Sequence, residues 1–154
     1  MSIVTSTPSE TKTSPAVSRI LLATDFSAPA EQALEWGRRI CAAFGAKLVL
    51  LHVIDIFGTA QMGVHIVGGD PLIPLLREEA TRHMQEWQSR EAGAEGVVRE
   101  GSPRPAIVEA AQELNCQMIV MGTHGRSGLA HLVMGSVAEY VVRHSKVPVL
   151  TVRS

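Results

Sequence analysis

Met121 to Val137 reads MGTHGRSGLAHLVMGSV, with Gly122, Gly125 and Gly135 in the spacing G-x2-G-x9-G and Ser136 directly after. Before it lies the apolar run Gln117 to Met121, which ends like a buried strand. After it comes VAEYVVRHS, which repeats like a helix. Glycines just past a strand let backbone approach a ligand closely. The start of a helix presents N–H groups that lack intrahelical acceptors, together with the positive end of the helix dipole. An anion, and phosphate above all, suits that junction. Ser136 has a second reading as a plain N-cap that touches no ligand.

On both sides of this stretch the hydrophobic pattern alternates between two kinds of element. Arg19 to Thr24 is a short β-branched and leucine run, and Ala30, Ala33, Leu34, Gly37, Ile40, Cys41 and Phe44 then recur at helical steps up to Gly45. Strand, helix and glycine stop follow from that order. Lys47 to Ile54 is continuously apolar, as a central strand covered on both faces should be. Leu72, Leu76, Ala80, Met84 and Trp87 form a second helical stripe, with Glu78 and Arg82, and Glu86 and Arg90, four apart on its wet side. A more polar strand is predicted at Glu95 to Glu100. A helix opens at Ser102-Pro103 with Ile107, Ala110, Ala111 and Leu114 inward. Gln117 to Met121, a helix from Ser136 to Ser145 and a strand from Val147 to Val152 complete the series. Five strands alternating with helices predict an α/β fold, a single doubly wound parallel sheet with helices on both faces.

With these signatures in place, the chain resembles the universal stress proteins, small α/β domains whose nucleotide-binding members carry G-x2-G-x9-G followed by Ser or Thr. The likeness extends to ILLATDFS (Ile20 to Ser27), to LHVID (Leu51 to Asp55) and to VPVLTV (Val147 to Val152), covering roughly residues 18 to 153. It implies a Rossmann-like sheet of the adenine nucleotide α hydrolase type, with strand order 3-2-1-4-5. A ligand then belongs outside the carboxyl ends of strands 1 and 4, where the order reverses. Many relatives have proline where this chain has Ala23.

The resemblance carries a nucleotide pocket onto Ala23, Thr24 and Asp25 after strand 1, Val53 at the end of strand 2, and Met121 beside base or ribose. Asp25 reads alternatively as a cap for the following helix, and Val53 and Met121 as ordinary core. For the phosphates it points to Gly122, His124, Gly125 and Arg126, then to Gly135, Ser136 and Val137. Arg126 reads either as a charge near the polyphosphate or as a solvated loop residue. The implied ligand is ATP, with Mg²⁺ carried by the triphosphate, because the six histidines show no compact metal pair beside a carboxylate. No protein metal site and no catalytic residue is expected. The loop is not a Walker loop, as no Gly-Lys-Ser/Thr follows its glycines, and there is no GxSxG elbow. Binding with slow or no hydrolysis, a nucleotide-dependent stress-response switch read by an unknown protein partner, is the leading reading. A nucleotide-independent dimeric interaction module is the alternative, and a slow nucleotide hydrolase a third. Gly122→Val or Gly135→Val is expected to block binding while leaving the fold largely intact.

Composition sets the remaining bounds. A chain of 154 residues that is 45% hydrophobic and 4% aromatic suits one domain with an aliphatic core. Fourteen Lys and Arg against fifteen Asp and Glu give a net charge of −1 without a dense basic block, so no nucleic-acid role is expected. Cys41 and Cys116 lack CxxC spacing and read as reduced thiols. Residues 1–17 are polar and hydroxyl-rich and are expected to be a disordered tail before a domain spanning 18–154. That tail lacks the pattern of a signal or transit peptide, and no run is long enough to span a bilayer, so a cytoplasmic protein is expected. Asp55 to Asp70 is glycine-rich and long for a strand-to-helix connection, and reads as a lid, a partner surface or a plain loop. The last strand lies at the sheet edge, and the resemblance implies a homodimer formed through Val147 to Val152.

Overall fold

The computed structural model describes residues 16–61, 72–124 and 134–153. Among these, the elements in chain order are β1 (Arg19–Ala23), α1 (Ala28–Phe44), β2 (Lys47–Asp55), α2 (Ile56–Gln61), α3 (Leu72–Arg90), β3 (Glu95–Gly101), α4 (Pro103–Glu113), β4 (Met118–Gly122), α5 (Ser136–His144) and β5 (Val149–Val152). The strands pair in parallel in the order β3-β2-β1-β4-β5. This is the doubly wound sheet expected from the element pattern, in the strand order that the resemblance implied. Residues 1–15 of the expected tail, and residues 62–70 of the glycine-rich stretch, lie outside the described residues.

Side-chain alternation divides the core into two layers. Leu21, Val49, Leu51, Ile119 and Met121 point to one face and meet Ile107, Ala110, Ala111, Ala138 and Val141 of α4 and α5. Ile20, Leu22, Leu48, Leu50 and Val120 point to the other and meet Ala30, Ala33, Leu34 and Cys41 of α1 and Met84 and Trp87 of α3. Register keeps each layer coherent, since Leu21 lies opposite Val49 on one side and Ile119 on the other. Cys41 and Cys116 are free and buried, and burial pushes both thiols up in pKa.

The helix ends follow local chemistry. Proline occupies the first turn of α1, where a missing N–H costs nothing. Gly45 closes that helix in the left-handed region, φ 65°, and the Ala46 N–H returns to the Cys41 carbonyl at 3.0 Å. Pro103 begins α4 as expected, and Asn115, φ 51°, turns the chain after it. Pro148 precedes β5 and accepts from the Ile119 N–H through its carbonyl, so its missing donor is not needed in the ladder.

Several expectations shift in detail. The region after β2 does not leave the sheet as an irregular loop: Asp55 Oδ1 accepts from the N–H groups of Phe57 and Gly58, and α2 starts there. Phe44, the last residue of the α1 stripe, is 59% exposed, so the stripe outlasts the burial by one residue. On α3, Arg82 pairs with Glu86, while Arg90 crosses to Glu31 of α1. Val17 packs against the α1/α3 layer, and the Ser18 N–H donates to Gln117, so both residues before β1 are tied to the domain.

Candidate functional site

The site follows from where the crossovers go. The chain leaves β1 into α1 on one face of the sheet and leaves β4 into α5 on the other, so the adjacent ends of β1 and β4 part and leave a crevice. Ala23 lies level with Leu51 and Met121 in the neighbouring strands, which brings three strand ends abreast. The cavity there measures about 420 Å³. That is within the size of small-molecule sites, roughly 300–1,000 Å³.

Ala23, Thr24, Asp25, Val53, Met121, Gly122, His124, Gly135, Ser136 and Val137 all line this one cavity. Gly125 and Arg126 lie outside the described residues. The structure therefore brings together every described residue that the sequence singled out, from four separate elements and their exits. Met121 is both core and wall: it is 5% exposed, packs in the α4/α5 layer and borders the cavity.

The β1 exit is a tight, hydrogen-bonded turn. The Thr24 N–H donates to the Leu51 carbonyl at 2.8 Å, and the Thr24 carbonyl accepts from His52 Nδ1 at 2.8 Å, which fixes a proton on that ring nitrogen. Thr24 Oγ1 accepts from the Phe26 N–H, and Asp25 Oδ1 accepts from the Ser27 N–H at 3.0 Å. The Asp25 carboxylate thus shapes the turn into α1 while it borders the cavity. Phe26 sits in the left-handed region at φ 61°. For a bulky residue that conformation costs about 1–3 kcal/mol and persists only when its surroundings over-determine it.

Across the crevice, α5 opens at Gly135, whose N–H donates to the Thr123 carbonyl at 2.8 Å. Gly135 is the N-cap and Ser136 the first helical residue, and among the described residues no side chain caps this end. The N-cap reading of Ser136 is thereby replaced: its amide belongs to the first turn, whose N–H groups lack intrahelical acceptors and border the cavity. The Thr123 hydroxyl lies 3.0 Å from His124 Nδ1, which orients that imidazole at the mouth.

The two glycines hold a correction. A Cβ at Gly135 would stand 3.0 Å from the Thr123 carbonyl oxygen, and one at Gly122 would stand 3.2 Å from the His124 carbonyl oxygen. These neighbours are backbone and cannot move aside cheaply. Valine at either position therefore requires the β4–α5 junction to give by a few tenths of an ångström, so the expected intact fold of those variants depends on how far that backbone shifts.

Sequence reasoning missed one wall. Phe26, His52, Leu76, Glu79, Ala80 and His83 also border the cavity. Phe26 is adjacent to a motif residue, but nothing in the spacing of α3 marks His83 as a pocket residue. Among the described residues no group of three or more His, Cys, Asp or Glu is placed to hold a metal ion. None of their helices is long and apolar enough to cross a membrane.

Comparison with known proteins places this geometry. Residues 16–153 match the model of the Universal stress protein family. Universal stress protein MJ0577 of Methanocaldococcus jannaschii is 30% identical over 152 residues, covering 88% of this chain and 94% of its own length. Its solved structure superposes with a TM-score of 0.78 at 31% identity, covering 90% and 97% of the two chains. A universal stress protein solved in complex with cAMP is 30% identical, with a TM-score of 0.60 and coverage of 90% and 98%. One from Archaeoglobus fulgidus in complex with dAMP, at 24% identity, a TM-score of 0.58 and coverage of 89% and 98%, shares the fold.

Proposed function

We propose that this chain, which belongs to the universal stress protein family, binds an adenine nucleotide in the crevice between β1 and β4, with ATP as the intended ligand. The observation that carries the reading is convergence: the strand ends at Ala23 and Met121 and the start of α5 at Gly135 and Ser136 border one cavity of about 420 Å³. In this reading the base lies toward Val53, the ribose meets Asp25 and Met121, and the phosphates run over Gly122 toward Ser136 and Val137. The aligned dipoles of α5 favour anionic groups there by about 0.3–1 kcal/mol. His124 would add a hydrogen bond, and Gly125 and Arg126 would close the phosphate loop. Any Mg²⁺ would arrive with the triphosphate.

The role that suits such a site is a switch. Nucleotide favours one conformation according to its differential affinity, and a protein partner reads that conformation. Fast turnover is not part of the reading, since no Gly-Lys-Ser/Thr of a Walker loop follows the glycines. The experiment is to identify by mass spectrometry the nucleotide that copurifies, then follow ATP over hours with the purified protein. Copurified adenine nucleotide with at most slow loss of ATP is expected. Steady turnover abolished by His124→Ala would replace the switch with a hydrolase. Cytoplasmic location and pairing of two chains through β5 complete the proposal.

A further inference from the structure

We infer that Phe26 and His83 are positioning residues for the nucleotide: rings on α3 hold Phe26 in its left-handed backbone conformation, and that conformation presents Thr24 and Asp25 to the crevice. The inference rests on the binding reading above but concerns residues outside the glycine motif. Phe26 directly follows Asp25, and at φ 61° its backbone would relax if nothing held it. Three rings hold it. Its centroid lies 4.6 Å from His52, 5.2 Å from His83 in a stacked pair, and 5.5 Å from Trp87 edge-on. His52 is tied in turn to the Thr24 carbonyl, so ring packing and the turn form one unit.

His83 is the only one of these α3 rings that is not deep core. It stands between Glu79 and Glu86 of its own helix, at 3.7 and 3.4 Å, and its inner side faces Phe26. Trp87 anchors the layer beneath, buried to 4% exposure. An aromatic pair of this kind contributes enough beyond its buried area to change an affinity about 2- to 10-fold. A helix with no part in the glycine motif thus sets the shape of the β1 exit.

The test compares the wild type with His83→Ala, His83→Phe and Phe26→Leu by amide NMR of residues 24–27, thermal melting without ligand, and calorimetric titration with ATP and Mg²⁺. His83→Ala is expected to move those amide resonances and to weaken ATP about 2- to 10-fold. His83→Phe, which keeps a ring but carries no proton, should restore both, and Phe26→Leu should behave like His83→Ala. Unmoved amides and wild-type affinity in His83→Ala, with only a lower melting temperature, would reduce the ring cluster to core packing and overturn the inference. Should the wild type itself take no ATP, the nucleotide reading fails separately. The amide shifts and their recovery in His83→Phe then decide the ring clamp alone.

Discussion

At the residue scale, the glycine signature carries two kinds of information that the sequence cannot separate. Its spacing marks a strand-to-helix junction, and Gly122 and Gly135 stand at that junction. Glycine at position 135, however, also answers to a contact within the chain, since the Thr123 carbonyl lies 3.0 Å from where a Cβ would sit. Pattern alone reads both glycines as space for phosphate, because a tertiary approach between residues twelve apart leaves no local trace. Gly135→Ala is therefore expected to lower unfolding stability by about 1–3 kcal/mol through overpacking. Urea denaturation without ligand measures this, and an unchanged midpoint would mean that the junction has room. Phe26 teaches the converse lesson: it stands in the quoted motif ATDFS, yet its φ of 61° and its ring partners are visible only in three dimensions.

At the scale of elements, periodicity located the strands and helices well because each is buried against a sheet with two covered faces. The stripe on α1 shows both the success and its limit. Leu34 is 1% exposed and central to the α1/α3 layer, whereas Trp36, two residues on, is 47% exposed with Arg39 over its ring. Leu34→Ala should cost about 2–5 kcal/mol of stability, and Trp36→Ala no more than about 0.5 kcal/mol. Chemical denaturation of both variants checks the contrast, and comparable losses would mean that α1 presents a different face. Phe44 continued the apolar spacing but not the burial, because the pattern does not say where the sheet beneath a helix ends. The charge pairs were least legible: i,i+4 spacing on α3 suggested Glu86 with Arg90, but Arg90 reaches Glu31 on α1, a partner supplied by packing. The short helix α2 was missed for a related reason, since a cap by Asp55 outweighs the low helix propensity of its glycine.

For the whole molecule, strand order decides both where a ligand sits and which edges remain open. β5 is an edge strand of four residues, and its apolar Val149 and Leu150 pack on opposite layers of the core. Pairing with a second copy would cover that edge. Sedimentation at micromolar concentration is expected to give twice the 16.5 kDa chain mass, and a particle of the chain mass alone would remove the β5 dimer. The β1/β4 side of the crevice was legible, since all ten described candidates border it. The α3 wall was not, because His83 reaches the cavity through the packing of a helix and not through any motif. Whether this crevice holds a nucleotide is decided by calorimetric titration of the nucleotide-stripped protein with ATP and Mg²⁺. One site per chain with micromolar affinity, about −8 kcal/mol, is expected. No heat of binding, with a melting temperature that saturating ATP leaves unchanged, would contradict it.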